Sequence, residues 1–422
     1  MAVSYVQKEI GNGIMFSGIY DAKFKSDFVS IRFVTPLNEK MSPRLSLLSM
    51  ILGTSNKFIT SRTKLNEELI GLYDSLMSVF SYSVGDYQIS GLSVKYLGDD
   101  YTINNEKISV RATKILLDCI FNPHIEDGKF PEKYFDLRKQ ELIDNIKSEI
   151  NDRRSYAVFR ANQSVYKDEP ASVSVNGSLE EAESISQIEL LETYNRMFSN
   201  SYIDISVGGG KPCPEVNEMI EKAFRLIERP NEININYLCP SPIKQKAVEI
   251  SEKNDVNQCK MIMAFKTESE DFYAQKLMCA LLGGTPFSKL FANVREKLSL
   301  CYYCSSTIAE CKKVMYIDSG IERHNAEKAK IEIIKQIEAI ADGDFTDEML
   351  ENTKRALYNG FKSNYDSIAA LNSWFFIQRV RGAQASPDEI NDIIKNISRE
   401  RVVQAAKSFK LDTVYLMEPE VE

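Results

Sequence analysis

The sequence predicts an α+β protein of two homologous domains, each a mostly antiparallel sheet with helices packed on one side. Three observations lead there. A set of segments recurs in the same order in both halves, strands follow one another closely without strict strand–helix alternation, and a proline-bearing stretch separates the halves.

In chain order, Phe28–Val34 reads as a strand, with Cys259–Phe265 as its counterpart. Leu47–Gly53 and Met278–Gly284 are apolar segments that end in glycine. Strand-like Ser78–Ser83 and Gln88–Tyr96 correspond to Leu300–Thr307 and Val314–Ile321. Asn105–Ile120 and Asn325–Ile340 read as amphipathic helices, the first with Ile108, Ala112, Ile115 and Cys119 on one face, the second with Ile333, Ile337 and Ile340. Asp127-Gly128-Lys129-Phe130 opens a helical stretch ending at Lys147-Ser148. Asp342-Gly343-Asp344-Phe345 opens another ending at Lys362-Ser363, both ends at an offset of 215. One such match arises by chance; five in the same order do not. Strand Tyr202–Val207 and helix Glu215–Ile227 close the first half, and Pro230, Pro240 and Pro242 mark a joint before strand Ala247–Ser251. The expected organisation is a first domain over 1–228, a linker over 229–246 and a second domain over 247–422.

Composition narrows the function classes. With 43% hydrophobic and 27% charged residues over 422 positions, the chain has the balance of an ordinary soluble protein with ample core. A net charge of −8 without a basic block argues against nucleic acid and anionic lipid as partners. The apolar runs Ser46–Leu52 and Leu277–Leu282 fall far short of the roughly 18 residues of a membrane span. The first ten residues show neither a basic nor an apolar leader region, so a cytoplasmic location is expected. The two histidines, His124 and His324, stand two hundred positions apart. A hydrolytic zinc site of the common kind wants two close together, so no metal or other cofactor is expected. Eight cysteines in mostly apolar contexts read as reduced core thiols.

Several local patterns invite chemistry and dissolve on inspection. His124-Ile125-Glu126 and Pro212-Cys213 resemble broken pieces of a zinc-deaminase signature, but the second closing cysteine is missing, so a polar loop is the better reading. Cys301-Tyr302-Tyr303-Cys304 is flanked by strand-like sequence, where positions three apart face opposite ways; both are read as structural. Gly208-Gly209-Gly210-Lys211 follows a strand and precedes a helix without matching a phosphate-loop pattern, and reads as a flexible turn. By pattern alone, Arg295 is a solvated helix charge and Tyr302 a half-buried strand aromatic.

The run Gly283-Gly284, Ser288-Lys289-Leu290-Phe291, Arg295-Glu296 and Leu300-Cys301-Tyr302 resembles the C-terminal half of the insulinase/pitrilysin/mitochondrial-processing-peptidase family. Members of that family are built from repeated α+β domains of this size. Active members carry His-x-x-Glu-His a few residues before Gly-Thr. Counting back from Gly53-Thr54 places that motif on Arg44-Leu45-Ser46-Leu47-Leu48, where none of its three chemical residues stands. The downstream metal-binding glutamate falls near Asp144-Asn145 and is absent too. Leucine offers no lone pair to a metal, so the resemblance implies a chain that cannot hydrolyse peptides alone. In the family, an arginine and a tyrosine seven residues apart serve the zinc domain, and Arg295 and Tyr302 match that pair. The implied role is a metal-free subunit in a heterodimer with a zinc-bearing homologous peptidase subunit. It would enclose peptide substrate and supply Arg295 and Tyr302 as catalytic groups. Gly283 and Gly284 are candidate substrate-binding positions, for which a packing role stays open. The alternative is a non-catalytic peptide-binding or scaffold protein. An independent hydrolase would need a metal held by His124, His324 and distant acids.

Overall fold

The computed structural model describes residues 3–229, 233 and 235–420; linker residues 230–232 and 234 lie outside the described set. In chain order the first elements are β1 (Ser4–Gly11), β2 (Ile14–Tyr20), β3 (Ser26–Pro36), α1 (Met41–Leu52), α2 (Arg62–Gly71), β4 (Leu76–Val84) and β5 (Tyr87–Leu97). Next come α3 (Ile108–Phe121), α4 (Glu132–Ser148), α5 (Arg153–Val165), α6 (Leu179–Ser184), α7 (Gln187–Asn200), β6 (Tyr202–Gly209) and α8 (Pro214–Arg225). The second half holds β7 (Val248–Asn254), β8 (Cys259–Lys266), α9 (Phe272–Cys279), β9 (Cys301–Ala309), β10 (Val314–Ile321) and α10 (Ala326–Ala341). It closes with α11 (Asp347–Lys362), α12 (Ile368–Val380), α13 (Pro387–Lys395), α14 (Arg399–Ser408) and β11 (Lys410–Pro419).

The chain forms two units. Unit 1 holds Met1–Ser148, Val173–Asn236 and Ser367–Ser373; unit 2 holds Glu149–Ser172, Tyr237–Asp366 and Trp374–Glu422. Each contains one sheet, in the order β1-β2-β6-β3-β5-β4 and β7-β11-β8-β10-β9. Five strands of the two sheets correspond in order and polarity. The parallel pair β2–β6 matches the parallel pair β7–β11, and the remaining pairs are antiparallel in both. The repeat legible in the sequence is therefore a repeat of topology. Its turns repeat as well: Gly128 and Gly343 both take positive φ, 75° and 81°, where a side chain would be strained, and the following Phe130 and Phe345 are buried.

Alternation drives the sheets. The buried β3 residues Val29, Ile31 and Phe33 share one face, and it packs against helices α1–α4 and α6–α8. The predicted face of α3, Ile108, Ala112, Ile115 and Cys119, lies in that same core. In unit 2 the strands are apolar on both faces. Met261, Met263, Met315 and Ile317 meet α9–α11, α13 and α14, while Ile262, Ala264, Val314 and Tyr316 meet Ala157, Ala161 and Val165 of α5. That second covering layer was not legible locally, because α5 lies far upstream in sequence. Among the described residues, no helix is long and apolar enough to cross a membrane.

Candidate functional site

In unit 1, a cavity of about 390 Å³ opens between α1, α2, α4 and the edge strand β4. Ser46, Met50 and Gly53 of α1 face Arg138, Glu141 and Asn145 of α4 across it. The helical phase of α1 decides what lines this space. Leu47 and Leu48 are 0% exposed within the core, and Arg44 turns to Glu189 of α7 at 2.5 Å. The i, i+4 pair facing α4 is thus Ser46 and Met50, two residues beyond the sequence count. Ser46 is committed to Ser81 (2.8 Å) and to the Val175 carbonyl (2.7 Å). On α4 the lining face is 138, 141 and 145, so the position opposite is Asn145, an amide. Gly53 lets the end of α1 lie against β4, since a Cβ there would come within 2.3 Å of the Val79 side chain.

The family's zinc does not fit these residues. A hydroxyl already engaged, a thioether and an amide are a poor donor set for a divalent cation. A guanidinium stands there as well. Arg138 is buried, its Nε donating to Thr54 Oγ1 at 2.8 Å and its Nη1 to Glu141. Among the described residues no cluster of three or more His, Cys, Asp or Glu is placed to hold a metal. Sequence reasoning missed Arg138, although a signal exists: it sits three residues after Phe135 and four before Leu142, on the apolar stripe of α4.

In unit 2, α9 runs into a π-helical turn over 280–284, and a second π-helical stretch spans 290–297 before β9. Of the two chemistry-bearing residues carried by the resemblance, Arg295 lies on this second stretch and Tyr302 is the second residue of β9. Arg295 is exposed, its guanidinium 4.9 Å from the Phe291 ring centre and 3.5 Å from Glu296. Tyr302 is 59% exposed and donates its hydroxyl to Glu322 at 2.6 Å. That hydrogen bond raises the tyrosine above its ordinary value, so the phenol holds its proton and remains a donor. Gly283 packs against β9, where a Cβ would lie 2.7 Å from the Ser306 backbone nitrogen; Gly284 is open by comparison, with its nearest neighbour at 3.4 Å. Lys289 is buried and reaches Asp344, tying the segment to the repeated turn.

The paired cysteines depart from strand alternation. Gly320 pairs with Tyr303 but Ile321 pairs with Cys301, so β9 carries an extra residue at Tyr302. This bulge brings Cys301 and Cys304 to one side. A hydrogen bond from Cys304 lowers the Cys301 thiol, with Arg295 adding to the effect, while Cys304 is raised well above its usual value. All eight cysteines are free thiols. The glycine loop is filled from within. Gly210 N–H donates to Asp27 at 3.0 Å, a Cβ on Gly209 would lie 1.7 Å from that carboxylate, and Lys211 pairs with Asp100 at 2.5 Å. A carboxylate thus sits where a phosphate would need to. Burial raises Asp27 to about 6, with Asp99 and Asp100 adding to the shift. His124 contacts Ser55 (3.3 Å) and Glu126 (2.9 Å) in the loop after α3, and His324 lies in the other unit.

Comparison with known proteins agrees with this geometry. The profile of a family described as the peptidase M16 inactive domain matches residues 184–357. A Bacillus subtilis protein described as "Probable inactive metalloprotease YmfF" is 26% identical over 421 residues, 98% of each chain. An uncharacterized zinc protease of Rickettsia bellii is 23% identical over 331 residues, 75% of this chain and 77% of that one. Among solved structures, a conserved protein from Enterococcus faecalis superposes with a TM-score of 0.90 at 24% identity, over 100% of this chain and 99% of that one. A peptidase M16 inactive domain from Pseudomonas fluorescens gives 0.79 at 15% identity, over 100% and 98%.

Proposed function

We propose that this chain is a member of the insulinase and processing-peptidase family without the family's zinc motif, a peptidase-like protein with no metal-holding cluster among its described residues. It acts as the metal-free subunit of a heterodimeric endopeptidase, enclosing peptide and lending Arg295 and Tyr302 to a zinc-bearing partner. One observation carries this reading: both side chains are exposed on one short segment of unit 2, and the tyrosine keeps its proton. A neutral phenol donates a hydrogen bond to a developing oxyanion, and a guanidinium fixes a peptide carbonyl or carboxylate. Such a donor is typically worth about 2.7–4 kcal/mol, or roughly 10²–10³ in rate.

The test is co-expression with a homologue that carries His-x-x-Glu-His, followed by assay of peptide cleavage. Tyr302→Phe is expected to lower kcat by about 10², and Arg295→Ala to lower kcat/KM. Full activity in both variants would end the proposal. The second reading, a non-catalytic peptide-binding or scaffold protein, draws on a different observation. Tyr302 and Arg295 already have local partners, Glu322 and the Phe291 ring with Glu296. Peptide binding without faster cleavage in any partner mixture would favour it.

A further inference from the structure

The unit 1 cavity is lined by more positive than negative side chains. Arg138 is buried beneath it and Arg62 stands at its mouth, against a single acid, Glu141. Arg138 commits Nε to Thr54 and Nη1 to Glu141, leaving Nη2 with no partner among the described contacts. Arg62, the first residue of α2, makes no described ion pair or hydrogen bond. Two guanidiniums against one carboxylate leave an unmatched positive charge lining this recess. Met77 and Val79 of β4 add apolar surface to the lining, and Asn145 adds an amide. A volume of about 390 Å³ suits a ligand of one or two amino-acid residues.

We propose that this cavity binds a carboxylate attached to an apolar group, with Arg138 and Arg62 holding the carboxylate and the β4 side chains holding the apolar part. Two sources share that chemistry: the C-terminus of a peptide and a small free N-acyl amino acid. The site needs neither a cleavage partner nor Arg295 and Tyr302, so it stands or falls apart from the role proposed above.

The experiment is calorimetric titration of the full chain with three probes: acetyl-Ala-Ala-Leu as the free acid, the same peptide as its C-terminal amide, and acetyl-leucine. The free acid is expected to bind at least about tenfold more tightly than the amide, the fold-change one charge-assisted hydrogen bond carries. Acetyl-leucine equal to the tripeptide would identify the source as a small acid; acetyl-leucine much weaker would identify a peptide end. Arg62→Gln, at an exposed position, is expected to weaken binding of the acid and leave the amide and the melting temperature unchanged. Glu141→Gln is expected to tighten it, because the internal competitor for Arg138 is removed. Equal affinity for acid and amide, no binding of either at millimolar concentration, or indifference to both substitutions would overturn the proposal.

Discussion

Removing the carboxylate of Asp204 should open the sheet of unit 1 at its centre. Asp204 on β6 pairs directly with Arg32 on β3, and Oδ2 lies 2.7 Å from Nη1. Their side chains are 1% and 5% exposed, and Ser206 accepts a further hydrogen bond from Arg32 at 3.1 Å. Truncation to alanine removes the counter-charge and leaves a guanidinium out of water. Breaking one side of a buried pair costs about 3–5 kcal/mol. Replacing both partners with apolar residues of similar volume, Arg32→Met with Asp204→Leu, should cost little or add stability, because neither desolvation penalty is then incurred. Unfolding in urea by circular dichroism measures the change, and hydrogen exchange of the β3 and β6 amides assigns it to unit 1, since the single Trp374 belongs to unit 2. High salt should leave the cost nearly intact, as buried charges are weakly screened. A loss below about 1 kcal/mol for Asp204→Ala, or a double variant as unstable as the single one, would refute the reasoning.

Three further outcomes are expected. Asp27 is raised to about 6 in the folded chain against about 3.9 unfolded. Its contribution is therefore fully present below pH 3.9 and lost as pH rises through 6, amounting to about 2 kcal/mol after discounting for partial exposure. Asp27→Asn should abolish that slope in melts taken from pH 4 to 8. Gly283→Ala should cost about 1–3 kcal/mol, since its Cβ meets backbone, whereas Gly284→Ala should be close to neutral by the same urea assay. Installing His-x-x-Glu-His by Arg44→His, Leu47→Glu and Leu48→His should yield no stoichiometric zinc by elemental analysis. It should also destabilise the chain by several kcal/mol, because position 47 is fully buried and a carboxylate there has no partner.

Much of the architecture was readable one strand at a time. The corresponding segments Phe28–Val34 and Cys259–Phe265 marked the central strands β3 and β8, and the paired Asp-Gly turns marked the repeat, because each copy carries these signals within a short stretch of chain. The hairpin β1–β2 was not read although its pairing is local, and the closing strand β11 was not read because its partners β7 and β8 lie far along the chain. The site divides the same way. Loss of metal donors follows from residue identity, whichever face of α1 is counted. The occupation of the cavity by Arg138 and the meeting of Cys301 with Cys304 do not, because one depends on how α4 is rotated and the other on a bulge that only strand pairing reveals. Arg295 is exposed, as its pattern suggested, whereas Tyr302, read as a half-buried strand aromatic, is 59% exposed, a property of the folded surface.

The two copies do not end where their sequence ends. Helices α5 and α12 begin 215 residues apart, at 153 and 368, and occupy the same place in the repeat. Yet α5 is counted with unit 2, and the start of α12 with unit 1. Each half of the sequence therefore contributes a piece to the other half's unit. Cutting the polypeptide at the proline joint would separate each unit from the segment that the other half contributes to it. The later fragment made alone would leave Tyr316 and Tyr415 without the alanine-lined helix that covers them, a wet aromatic surface inviting self-association.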